Sequence, residues 1–114
     1  LDFSEQAVVE ARKNIPTGVF EVGDITDTPY GDRSFSTVVL CGVINYYRDI
    51  VPILKEASRL LKPGGIMLLT INVIQDFPDR KWGVRTVCEE FSTYGNVTAT
   101  WYEKIGWYVK IQTK

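Results

Sequence analysis

Leu60-Leu61-Lys62-Pro63-Gly64-Gly65-Ile66-Met67-Leu68-Leu69-Thr70 decides the fold class of this 114-residue chain. An amphipathic segment runs into it. Ile50, Ile53, Leu54, Ala57, Leu60 and Leu61 recur at intervals of three and four, the stripe of a helix with one buried face. Pro52 lies in its first turn, where a missing N–H costs little, and Asp49 suits its cap. Lys62-Pro63-Gly64-Gly65 then stops the helix, and Ile66 to Ile71 is an unbroken apolar strand. Upstream, Phe35 to Val43 reads as another strand, apolar on both faces at Val38, Val39, Leu40, Cys41 and Val43, as in a central parallel strand. Strand, helix and strand in that order give a right-handed parallel crossover.

The same reading extends outward. Leu1-Asp2 reads as a strand end, and Ser4 caps a helix that closes near Asn14, with Phe3 and Val8 as a hydrophobic staple. Val19 to Val22 is a short strand closed by Gly23-Asp24, followed by a polar loop from Thr26 to Ser34. Residues 72–83 are irregular. Val84, Val87, Cys88 and Phe91 mark a short helix that Gly95 stops. Period-two alternation over 97–102 and 107–112 predicts an antiparallel hairpin. The expected class is α/β: a Rossmann-like, mostly parallel sheet with helices on both faces and a C-terminal antiparallel hairpin, in one domain.

Composition narrows the function. A net charge of -1 argues against a broad electrostatic footprint for nucleic acid or an anionic membrane. No apolar run approaches the roughly 20 residues of a membrane helix, and no cleavable signal pattern opens the chain. The two cysteines, Cys41 and Cys88, lie in segments that read as buried and are too far apart for a zinc knuckle, so a cytoplasmic location is expected and no metal site. There is no histidine, which removes the commonest general base and metal ligand.

In open α/β sheets, ligands bind beyond the carboxyl ends of the parallel strands. Those ends here are Asp2-Phe3, Gly23-Asp24-Ile25, Cys41-Gly42-Val43 and Asn72. Asp2 suits the pair of ribose hydroxyls of a nucleotide, or equally a solvated carboxylate at a helix N-terminus. Asp24 suits an exocyclic amine, with Ile25 as an apolar wall; a turn aspartate is the more common role for such a residue. Cys41 has no histidine partner and reads as an inert core thiol, and Gly42 as a point where a ligand nears the backbone. Tyr46 and Tyr47 stand at the mouth of the expected cleft, as pocket walls, donors or weak bases. Trp82 is a candidate pocket lining, whereas Trp101 and Trp107 read as sheet packing.

Together these segments resemble class I S-adenosylmethionine-dependent methyltransferases, most of all the group that includes quinone-biosynthesis C-methyltransferases and other small-molecule methyltransferases. Four segments carry the resemblance in order. They are Leu1-Asp2-Phe3-Ser4 with Ala11-Arg12, Gly23-Asp24-Ile25 through Pro29-Tyr30, Ser34 through Val39, and Leu60 through Leu69. The resemblance implies S-adenosylmethionine as cofactor, methyl transfer as the reaction and a small molecule as acceptor. It implies that Asp2 and Phe3 hold the ribose side, that Gly23, Asp24 and Ile25 hold the adenine, and that Cys41, Gly42 and Val43 border the methionine portion. Tyr46, Tyr47 and the 72–82 loop with Trp82 would face the acceptor.

The chain departs from the pattern in three places. Ser36 stands where the family has an Asp, and the Asn/Asp-Pro-Pro-Tyr motif of amino-directed nucleic-acid methyltransferases is absent after Val43. The family's glycine-rich loop precedes the ribose acid by about 20 residues, and here that acid is residue 2. In the family's strand order, 3-2-1-4-5-7-6, the first strand is central. Residues 1–114 therefore read as the C-terminal part of a methyltransferase domain, with the first strand missing, removed or exchanged with another copy of a homo-oligomer. The rival expectations are a truncated, inactive binding or scaffold domain and a nicotinamide-dependent Rossmann enzyme. The terminal hairpin and the Lys-Pro-Gly-Gly turn speak against the last.

Overall fold

Helix α2 (Val51–Leu60) passes directly into strand β2 (Leu61–Ile71) in the computed structural model, which describes residues 1–71, 84–102 and 106–114. Strand β1 (Phe35–Leu40) pairs with β2 in parallel, as the crossover requires. Phe35 lies opposite Leu61 and Thr37 opposite Ile66, so Lys62 to Gly65 bulge out of the ladder. The Pro-Gly-Gly segment is thus a bulge inside β2 rather than a turn ahead of it. Gly64 adopts φ 75°, a left-handed conformation natural to glycine. A Cβ at Gly65 would stand 2.8 Å from the Lys62 carbonyl oxygen and 3.0 Å from that of Ser36.

Helix α1 (Glu5–Asn14) begins as its sequence predicts: the Ala7 N–H donates to Ser4 Oγ at 3.2 Å. Val8 is buried, but Phe3, expected to staple onto it, stays 75% exposed. Helix α3 (Val84–Ser92) leads into β3 (Gly95–Tyr102) and β4 (Gly106–Thr113), the expected hairpin. Strand β4 inserts beside β2 and pairs with it antiparallel, Met67 opposite Ile111 and Leu69 opposite Val109. The sheet order is β1-β2-β4-β3. The α/β class with a C-terminal hairpin is therefore observed, in a mixed sheet. Among the described residues, parallel pairing is found between β1 and β2 and in an isolated bridge between Asp2 and Val22.

Alternation along the strands sorts the core. Leu40, Met67, Leu69, Val109 and Ile111 are buried on one face, in a single cluster with Ile53, Leu54 and Ala57 of α2 and Val87 and Phe91 of α3. Val39, Leu68 and Tyr108 remain exposed. The double-sided burial expected of the 35–43 strand is not met. Among the described residues β1 is an edge strand, and Val39 on it is 60% exposed. It also ends early, at Leu40, and two residues later Gly42 turns the chain at φ 67°. Of the expected strand at 19–22, only Val22 pairs.

Candidate functional site

A cavity of about 480 Å³ opens at the carboxyl end of β1. Three segments expected at strand tips meet there: Leu1 to Phe3, Gly23 with Ile25, and Cys41 to Val43. Thr28, Tyr30, Tyr46 and Tyr47 complete the wall at this end, and the cavity continues along β1 past Phe35, Thr37 and Val39. Asp24 is not itself a lining residue, although both its neighbours are.

Each strand-tip carboxylate is held by its own chain. The Asp2 N–H donates to Glu21 O at 3.1 Å and the Gly23 N–H donates to Asp2 O at 3.0 Å, which fixes the Asp2 backbone against Val22. Asp2 Oδ1 accepts from the Ser4 N–H at 2.8 Å, at the start of α1. Asp24 Oδ1 accepts from both the N–H and the hydroxyl of Thr26, each at 2.8 Å. The backbone bond from Thr26, aided by the hydroxyl, holds the Asp24 carboxyl below the usual range, so it stays ionised. In both residues the bonds fall on Oδ1, leaving Oδ2 for a ligand's donors. Gly23 is there for space: a Cβ would come within 2.7 Å of the Leu1 side chain.

The 26–34 loop closes one side. Thr28 is buried, and its N–H and hydroxyl both donate to Glu56 Oε1, at 2.9 and 2.6 Å. The Tyr30 hydroxyl donates to the Glu21 carboxylate, and that contact raises its pKa. The Tyr30 ring meets Phe35 edge-on, with centroids 5.3 Å apart. Neither Glu56 nor Glu21 was singled out from sequence. The available signal was an acid at position 56 within an apolar helical stripe, three residues before Arg59.

The opposite side is the stretch after β1. Cys41 is exposed, contrary to the core position expected of it, because the strand ends one residue earlier. The Gly42 N–H donates to Thr70 Oγ1 at 2.8 Å, and no atom lies within 4 Å of where its Cβ would be. Its backbone is therefore open to a ligand. A short 3-10 turn, Ile44–Tyr46, carries Tyr46, two-thirds exposed, and presents the half-buried Tyr47. Burial, reinforced by the charge of Asp24, raises the Tyr47 pKa. Tyr47 is thus a neutral hydrogen-bonding phenol rather than a base at neutral pH. Burial likewise pushes up the thiol of Cys88, which lies on α3 and does not line the cavity. Asn72, Trp82 and the loop between them lie outside the described residues.

No group of three or more His, Cys, Asp or Glu side chains able to hold a metal occurs among the described residues. An adenosyl sulfonium fits the donor set. Asp2 at the cavity and Asp24 just outside its lining each leave an oxygen for hydroxyl or amine donors, Ile25 and Phe3 offer apolar surface, and open space lies beside the Gly42 Cα.

The sequence of residues 1–69 matches the family model described as a methyltransferase domain. Over 81 residues the chain is 33% identical to the "Probable S-adenosylmethionine-dependent methyltransferase" of Mycolicibacterium smegmatis, covering 70% of this chain and 32% of that protein. It is 38% identical over 69 residues to the demethylmenaquinone methyltransferase of Staphylococcus carnosus, covering 58% of this chain and 29% of that one. The chain thus spans about a third of the length of these curated relatives. In fold, it is similar to the crystal structure of the PH0226 protein from Pyrococcus horikoshii, with a TM-score of 0.80, 21% identity and coverage of 99% of this chain and 69% of that one.

Proposed function

The chain belongs to the methyltransferase domain family, and from that premise we propose that it takes part in methyl transfer from S-adenosylmethionine to a small-molecule acceptor. The observation that carries this reading is the meeting of Asp2, Gly23 with Ile25, and the 41–43 turn around one cavity.

Bound S-adenosylmethionine supplies a methyl group on a sulfonium, which is open to in-line displacement. The chain's own task is then to bind and align. Asp2 accepts from the ribose hydroxyls through Oδ2, with Phe3 beside the ring. Asp24 accepts from the adenine amine, Ile25 packs the adenine face, and Gly23 gives the turn its room. Cys41, Gly42 and Val43 border the methionine portion. Tyr46 and Tyr47 face the acceptor, Tyr47 as a donor, and Trp82 is proposed as a further acceptor-facing residue. These 114 residues carry no histidine, so from them the acceptor is either nucleophilic already or gives its proton to an acid or a tyrosine. The likeness to a demethylmenaquinone methyltransferase supports a small organic acceptor.

The domain is proposed to be the C-terminal part of a methyltransferase domain. Among the described residues β1 ends the sheet on one side and Asp2–Val22 pairs as a separate bridge, which supports a further strand at that edge, the place of the family's first strand. That strand would come from the same polypeptide or, by exchange, from another copy in a homo-oligomer. No helix among the described residues is long and apolar enough to cross a membrane, and a cytoplasmic setting is proposed with the family. The rival, an inactive scaffold domain, draws its support from the same open edge. Titration calorimetry of the intact protein with S-adenosylhomocysteine decides between them. Micromolar binding is expected of the enzyme, and no heat of binding in the intact protein overturns it.

A further inference from the structure

Glu56 and Arg59 lie on α2, and neither lines the cavity. Glu56 is nevertheless buried, and a buried carboxylate needs partners. Its Oε1 accepts from the Thr28 N–H and hydroxyl and from Arg59 Nη2 at 2.6 Å, while Oε2 accepts from Arg59 Nε at 2.8 Å. The guanidinium reaches further along the same loop. Nη2 also donates to the Tyr30 carbonyl at 2.8 Å, and Nη1 to Asp32 Oδ1 at 2.7 Å. The Arg33 N–H donates to the Arg59 carbonyl at 2.9 Å. One helical turn therefore grips the loop at Thr28, Tyr30, Asp32 and Arg33. Two of those four, Thr28 and Tyr30, line the cavity, together with Ile25 just upstream.

We propose that Glu56 and Arg59 are positioning residues that set the Ile25–Tyr30 wall of the cavity from behind, and so govern affinity for the adenosine half of the cofactor. The inference rests on reading the cavity as the cofactor site. Only an ion pair at this place does the work. A carboxylate accepts four bonds here, and a planar guanidinium forks to four oxygens of the loop and helix within 2.8 Å. Lysine keeps the charge but reaches one of these acceptors at a time. A loop released from the pair spends part of its time away from the binding position, and the apparent affinity falls by that fraction.

The test uses the intact protein with Arg59→Lys, Glu56→Ala and Glu56→Gln, and with Asp32→Asn as a mild variant whose exposed position leaves folding intact. Two quantities are read. Amide hydrogen exchange reports on Thr28 and Arg33 in the loop, with Leu69 in β2 as the core reference. Calorimetry gives the affinity for S-adenosylhomocysteine and for adenosine. The expected result is faster exchange at Thr28 and Arg33 with Leu69 unchanged. Both ligands should weaken by the same factor, roughly tenfold for Arg59→Lys and Glu56→Ala if the loop stays in place a tenth of the time. Glu56→Gln, which still accepts from Thr28, should recover part of the loss, and Asp32→Asn should show a smaller loss with the same pattern. Loop exchange that does not change, affinities within a factor of two of wild type, or faster exchange spreading to Leu69 overturns the proposal. If the wild type binds neither ligand, the cofactor reading falls, and the exchange measurement alone upholds or overturns the grip of Glu56 and Arg59 on the loop.

Discussion

Asp24 shows how a short turn prepares a carboxylate as an acceptor. Thr26 satisfies one carboxylate oxygen and lowers the pKa, so the other oxygen is presented ionised and in a fixed direction. Asp24→Ala removes a charged acceptor and should weaken S-adenosylhomocysteine affinity roughly tenfold. Calorimetry on the intact variant checks this, and an unchanged affinity removes Asp24 from the site. Glu56 is the other acid with a consequence. Its bond to Arg59, with those from Thr28, brings its pKa to about 2, against 4.5 for the unperturbed group. A depressed carboxylate pKa means stability that is complete above the unfolded value and is lost as pH falls through the folded one. Wild type should therefore lose stability between about pH 4.5 and pH 2, and Glu56→Gln should flatten that part of the profile. Urea midpoints measured across this range report it, and parallel profiles for the two proteins would show that Glu56 carries none of the acid sensitivity.

The Lys62–Gly65 bulge inside β2 belongs to the scale of elements. Its glycines are needed where the sequence put them, but they work as a bulge, because Leu61 already pairs with Phe35. The bulge is closed by the far end of the chain: the Thr113 hydroxyl lies 3.2 Å from Lys62 O and 3.1 Å from Gly65 O, and the Gly64 N–H donates to Lys114 O. A local turn thus depends on β4 being docked. Thr113→Val keeps shape and β propensity but removes the donor, and should lower stability by about 1 kcal/mol. Urea unfolding should show a lower midpoint at an unchanged slope. An unmoved midpoint would mean the bulge holds itself.

At the scale of the molecule, the decisive feature is the outer edge of β1. Among the described residues that edge has no partner strand and Val39 on it is exposed, the arrangement of an edge open to pairing. In the 114-residue chain alone, Val39→Lys should change stability by less than about 0.5 kcal/mol, as surface substitutions do. In a longer protein with a strand beside β1, the same change places a charge in a buried position and should cost about 2 kcal/mol or more. Denaturant unfolding of both forms checks the difference. Equal costs would show that no strand covers this edge.

Local pattern alone determined α1 with its Ser4 cap, α2, α3, the hairpin and the strand tips bearing Asp2 and Asp24. Those features depend on caps, glycines and periods of 3.6 or 2, which act over a few residues. The four motifs in order also led to the family. Only the tertiary structure decided the rest. The apolar run 38–43 read as a central strand, and among the described residues it stands at an edge, as a sheet without the family's first strand leaves it, with a ladder that stops before Gly42. Cys41 moved from core to cavity rim for the same reason. The Glu56–Arg59 grip on the loop was illegible because its partners lie up to 31 residues away, and a buried charge is stable only where distant donors converge on it.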